Sequence, residues 1–176
     1  GIIAYAPGFL LSDSEVIFCR NHRGIEFDGL EDDLEFSSWL TQRLEQNSNL
    51  LLEAAVLEAV RVPGNKVVLS ENFDRLNLGM SHSWAMRWAS DSHPKKGAPE
   101  AEILWFESKD LLDGNIENDE SILKDLLYWN VEVRERGRIP EVLVIDEEYS
   151  VVTYRISESN PTGEMSEVTD EVFEVI

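Results

Sequence analysis

The sequence predicts an α/β domain, a mixed β-sheet with helices packed on it, opened by an N-terminal β-hairpin. Three observations predict this class. Short apolar runs rich in Val and Ile recur at strand length. Between them lie segments whose apolar residues fall three and four apart, as on one face of a helix. The two patterns interleave along the chain, which puts helices on the faces of a sheet. With 43% apolar residues, five Trp and seven Phe, 176 residues are enough to fill a core.

The elements follow in order. SEVIFCR and IEFDG, joined through NHRG with Gly24 at the turn, read as the N-terminal hairpin. Glu31, Asp32 and Asp33 suit a helix N-terminus, and Phe36, Trp39, Leu40 and Leu44 then keep helical spacing. NLLLEAAVLEAVR is apolar almost all round and reads as a buried helix stopped by Pro63-Gly64. KVVLS is a short strand. ENFDRLNLG is a loop or short helix ending at Gly79. SHSWAMRWAS fits either period: Trp84 and Trp88 are one helical turn apart, yet Trp84, Met86 and Trp88 alternate as on a strand.

DSHPKKGAPE is a loop, and AEILWFES is a strand. Asp119 or Ser121 is placed to cap a helix carrying Ile122, Leu123, Leu126 and Leu127. VEVRER, EVLVID and YSVVTYRI read as three strands, the last two around a Glu147-Glu148 turn. SESNPTGEMSE is a polar loop, and VTDEVFEVI is a short helix or edge strand. The expected organisation is one domain over 1–176, with an N-terminal subregion at 1–62 distinguishable from a half at 66–176.

Charge excludes whole classes of partner. Thirty-five acids against fifteen Lys and Arg give −20. Phosphate backbones and anionic lipid repel such a surface, so no direct nucleic-acid contact and no membrane contact are expected. No run of 18 apolar residues is present. The opening GIIAYAPGFLL lacks a basic flank and is broken by Pro7-Gly8, unlike a signal peptide. The single cysteine, Cys19, forms no internal disulfide, and its apolar run makes it a buried structural residue. A cytoplasmic location is expected on these grounds.

The charge is uneven. Residues 1–60 are net −8, residues 61–110 are neutral, and residues 111–176 are net −12. The neutral middle holds three of the five Trp and two of the three His, so a binding face is sought there. His82, Trp84, Arg87, Trp88 and His93 are the candidate partner- or ligand-binding residues, because Trp and Arg dominate interface hot spots. The opposing reading makes the two Trp core residues.

Other motifs are weaker. Ser81-His82-Ser83 with Asp91 and His93 has the residue types of a triad but no nucleophile-elbow context. The three His lack metal-ligand spacing, and the acidic stretch Asp110 to Asp119 misses the EF-hand spacing. No metal and no cofactor are expected. Arg134, Arg136 and Arg138 alternate and, on a strand, share one face, where they bind an anion or pair with neighbouring acids.

The fragments AEILWFES, WNVEVRER, IPEVLVID and YSVV, within about residues 101–155, resemble one half of a phospholipase D-like domain. In that superfamily a strand and helix precede a further strand, then a strand carrying His-x-Lys-x₄-Asp. Setting Asp146 on the family's Asp puts Ile139 at the His and Glu141 at the Lys. The nucleophile and the phosphate-binding cation are then both absent. His93-Pro94-Lys95-Lys96-Gly97-Ala98-Pro99-Glu100 imitates the signature with Glu for Asp, but its two prolines and glycine break the strand that the motif needs. The resemblance implies a fold, no catalytic residues, and a homodimer, since such halves pair.

The expected function is a non-catalytic regulatory or protein-interaction domain with a protein partner of basic character. The rivals are an acidic inhibitor, such as an immunity protein or nucleic-acid mimic, and a hydrolase using His82 or His93.

Overall fold

A computed structural model of the chain describes residues 3–6, 9–94, 96–112 and 116–156. It comprises two compact units that divide between Pro63 and Gly64.

In the first unit, strands β1 (Ile3–Ala6) and β2 (Phe9–Leu11) pair antiparallel, with Ile3 opposite Leu11. The N-terminal antiparallel pair is therefore built by Ile3–Ala6 and Phe9–Leu11. The segment expected as the hairpin holds helix α1 (Asp13–Arg23) instead. A capping box decides this. Ser12 Oγ accepts from the Glu15 N–H at 3.3 Å, and the Glu15 carboxylate accepts from the Ser12 N–H at 3.1 Å. Gly24, at φ 60°, closes the helix in the left-handed region. Cys19 is buried as expected, but on a helix, and burial pushes its thiol pKa up.

Helix α2 (Asp33–Gln46) starts on Asp32, whose carboxylate accepts from the Glu35 N–H at 2.8 Å. Helix α3 (Leu50–Arg61) follows. The helical spacing read at Phe36, Trp39, Leu40 and Leu44 is real: all four pack on a cluster of Ile17, Leu50 and Ala54. Arg61 of α3 pairs with Glu15 of α1.

The second unit is a five-stranded mixed sheet. Its strands are β3 (Lys66–Leu69), β4 (Ala85–Trp88), β5 (Ala101–Glu107), β6 (Ile139–Ile145) and β7 (Val151–Arg155), lying side by side in that order. All neighbours are antiparallel except β5 and β6, which run parallel. A parallel pair needs a crossover, supplied by α4 (Ser108–Leu112) and the 20-residue α5 (Ile116–Glu135).

One face of the sheet carries Leu104, Phe106, Val142 and Val144, which pack on Trp129 and Val133 of α5. Farther along that face, Val68, Met86 and Trp88 pack on Phe73 from the 3₁₀ turns between β3 and β4. The ambiguous tryptophan segment is therefore a strand from Ala85, with Trp84 just before it.

VEVRER is not a strand. Residues 131–135 complete α5, and Gly137 ends it at φ 73°. The Arg138 N–H bonds Val133 O at 3.1 Å and the Gly137 N–H bonds Arg134 O at 2.8 Å, a Schellman closure. Arg134, Arg136 and Arg138 consequently share no strand face. The phospholipase D-like resemblance loses its middle fragment. Asp119 and Ser121, read as caps, fall inside α5, which begins at Ile116. The two segments read beyond residue 156 lie outside the described residues. Among the described residues no helix is long and apolar enough to cross a membrane.

The capping box yields a test of α1. Ser12→Ala is expected to cost about 1 kcal/mol of stability in denaturant unfolding. A strand at residues 15–21 would leave the same substitution neutral.

Candidate functional site

The second unit is organised by a carboxylate inside the sheet. Glu102 on β5 is fully buried, at 0% exposure, on the face that α5 covers. The Schellman turn at Gly137 brings the two arginines flanking it onto this group. Arg136 donates from Nε to Oε1 at 2.8 Å and from Nη2 to Oε2 at 3.0 Å. Arg138 Nη1 donates to Oε1 at 2.7 Å. The Ser81 and Ser83 hydroxyls each donate to Oε2 at 2.5 Å. Trp129 of α5 joins them, its Nε1–H donating to Ser83 Oγ at 2.8 Å.

Burial is the largest influence on Glu102 and favours the neutral acid. The donors from Arg136, Ser81, Ser83 and Arg138 overcome it and hold the carboxyl at about 2. Such a group is a poor general base, because efficient bases titrate near the working pH. Both serines are hydrogen-bonded to it, and among the described residues neither bonds His82. His82 instead turns Nδ1 toward Glu132, at 3.7 Å, with 85% of its side chain exposed. The serine–histidine constellation of a hydrolase is not assembled here.

The other sequence candidates scatter. Arg87 is buried on the opposite sheet face from Trp88, since neighbours on a strand alternate. It donates to Glu141 through Nε at 3.0 Å and Nη2 at 2.5 Å, and through Nη1 to Glu100 at 2.7 Å. Arg155 Nε also donates to Glu141, at 3.2 Å. Trp88 is fully buried and donates to Gly97 O at 2.7 Å. Arg87 and Trp88 are thus internal, and the patch expected at 82–93 does not form as one surface. Trp84 is half-buried, and His93 is exposed in the loop, its carbonyl accepting from Lys96 N and Gly97 N. Of the five, His82 lines a cavity.

That cavity lies beside α5. It has a volume of about 440 Å³, an apolar floor including Leu104, Phe106 and Trp129, and Asp125, Glu132 and His82 at its sides. A second, about 340 Å³, lies between α4, α5 and the β6–β7 side of the sheet, lined by Leu111, Val142, Val144 and Tyr154. Between them α5 turns a second apolar stripe outward. Leu123 is 57% exposed, Leu127 56%, Tyr128 63% and Val131 52%. One stripe of α5, with Leu126, Trp129 and Val133, packs on the sheet; the other meets solvent.

The sequence held a signal for this. Leu123, Leu127 and Val131 recur every four residues beside the core stripe, but reading VEVRER as a strand cuts the pattern before Val131. Among the described residues no group of three or more His, Cys, Asp or Glu is placed to hold a metal ion. The acidic stretch from Asp110 to Asp119 lies largely outside the residues whose side chains are described. No protein-family model matches the chain. No curated protein is similar to it in sequence.

Glu102 makes the second unit acid-sensitive. Its carboxyl titrates at about 2 in the fold against 4.5 when unfolded. The ionised form therefore stabilises the fold above pH 4.5, and that contribution, roughly 3 kcal/mol, is lost as pH falls from 4.5 toward 2. Glu102→Gln is expected to cost about 3–5 kcal/mol at pH 7, because two arginines lose their counter-charge. The variant should also show a shallower decline of stability below pH 4.5 than the parent. Equal slopes would show that another carboxyl carries the acid sensitivity.

Proposed function

We propose that this chain is a non-catalytic protein-interaction domain whose binding face is the outward side of α5. The observation that carries the reading is the exposed stripe of Leu123, Leu127, Tyr128 and Val131, each more than half exposed. Isolated surface hydrophobes need no explanation, but a contiguous line of them on one helix marks a contact surface. The reading rests on α5 and not on the phospholipase D-like resemblance, whose middle fragment is helical.

Magnitudes say how large the contact must be. Covering what remains exposed of such side chains is worth about 1 kcal/mol each, roughly 4 kcal/mol for the four. Association itself costs about 4–15 kcal/mol. The stripe alone does not hold a partner, so the contact must extend past Tyr128 onto the groove of about 440 Å³ that Tyr128 also lines. Its apolar floor and polar mouth suit an anchoring side chain.

The buried polar groups support a binding role over a catalytic one. The buried acids of the second unit, Glu102 and Glu141, are each paired with two arginines. Ion pairs of this kind stiffen a scaffold, and carboxylates held by them are poor proton acceptors.

The test is a triple variant, Leu123→Ser, Leu127→Ser and Val131→Ser. Its stability is expected to match the parent within about 0.5 kcal/mol, as for surface positions. Quantitative mass spectrometry of complexes isolated from the source cells should show a partner bound to the parent and lost from the variant. A marked fall in melting temperature would make the stripe internal packing. An unchanged set of partners would remove α5 as the binding face.

A further inference from the structure

We propose that the second cavity, of about 340 Å³, is the seat of the chain's own C-terminal segment, residues 168–176, docked as an amphipathic helix. Of α5 this cavity takes Leu126 and none of the four stripe residues, so the docking stands apart from the partner face. Its floor is the β6–β7 side of the sheet. Val142 and Val144 belong to the face under α5, and β7 continues that face with Tyr154, opposite Val142, and then Ile156. Leu111 of α4 forms a wall, and among the described residues that line the groove none is charged.

The tether begins inside the groove. Ile156 lines it and is also the residue from which the remaining twenty, outside the described residues, continue. That starting point is fixed on both sides. The Ile156 N–H bonds Pro140 O at 3.0 Å, and its carbonyl accepts from Arg134 of α5. The eleven residues 157–167 reach up to about 36 Å when extended. Five-residue β7 is about 17 Å long, so the chain has length to return over the groove. A tether this short sets an effective concentration in the millimolar range. A contact too weak to join separate chains therefore closes within one.

The segment's chemistry matches the groove. Val168, Val172, Val175 and Ile176 fall at i, i+4, i+7 and i+8, one face of a helix, with Asp170 and Glu174 on the opposite face. Nine residues do not hold a helix alone in water, and packing of that apolar face supplies what is missing. Charge chooses between the two cavities. Residues 157–176 carry six acids and no base. The larger cavity presents Asp125 and Glu132, which repel them, whereas the described lining of the smaller one is uncharged.

The experiment uses the full chain with photoreactive benzoylphenylalanine in place of Phe173, which borders the apolar face. The protein is irradiated at low micromolar concentration, and the products are mapped by mass spectrometry. A product of monomer mass is expected, joined to residues 108–111, 142–144 or 154–156. Combining Val168→Asp with Val172→Asp should lower its yield at least about tenfold, because two buried valines are lost from the contact. Leu111→Asp, on the opposite wall, should lower the yield as well, with the melting temperature close to the parent's.

Absence of a monomer-mass product would overturn the inference. So would crosslinks confined to His82, Asp125 or Glu132, which would put the segment in the larger cavity. A yield unmoved by the paired aspartates would show that the apolar face is not what docks. A product of dimer mass at the same sites would make the occupant the segment of a second copy.

Discussion

The second unit depends on the contact between Glu102 and the two arginines that flank Gly137. The carboxylate is central to the sheet and fully buried, and an uncompensated charge there would be prohibitive. Its compensation comes from the end of α5, so satisfying Glu102 fixes where that helix ends. The same carboxylate orders Ser81 and Ser83, and Ser83 in turn holds the indole of Trp129. One buried acid thus ties together the loop before β4, strand β5, and α5 at two points along its length.

Rigid attachment of α5 has a consequence for its outer side. A helix over a sheet normally buries one stripe and exposes polar residues on the other. Here the buried stripe of Leu126, Trp129 and Val133 has an apolar counterpart facing solvent. The contacts at Glu102 and through Ser83 to Trp129 tie the helix to the sheet by its first stripe. An apolar surface held in this way is preorganised, which lowers the ordering cost of binding.

Much of this fold was legible in the sequence, and its misreadings have definite causes. Helix 33–46, the buried helix ending at Arg61, and strands at 66–69, 101–107, 139–145 and 151–155 were marked by period and turn chemistry. Two segments with strand-like composition are helical. For VIFC the deciding signal was local: Ser12 and Glu15 form a capping box and Gly24 supplies the stop. For VEVRER it was partly tertiary. Val131 and Val133 alternate as on a strand, yet Val133 continues the i, i+4 series of Trp129, and Gly137 ends the helix. The exposed stripe of α5 was missed with that segment. Of the candidate residues, Arg87 and Trp88 looked like hot spots because they are large and adjacent, and the strand sends them to opposite faces.

The neutral charge of the middle segment has a physical meaning that a count along the chain conceals. Its arginine at position 87, with Arg136, Arg138 and Arg155 from farther along, is engaged by Glu100, Glu102 and Glu141. Four bases and three acids cancel to within one charge, mostly in the interior. The −20 of the whole chain is therefore carried by other groups. What relieves the acidity locally is the apolar stripe of α5, bordered by carboxylates.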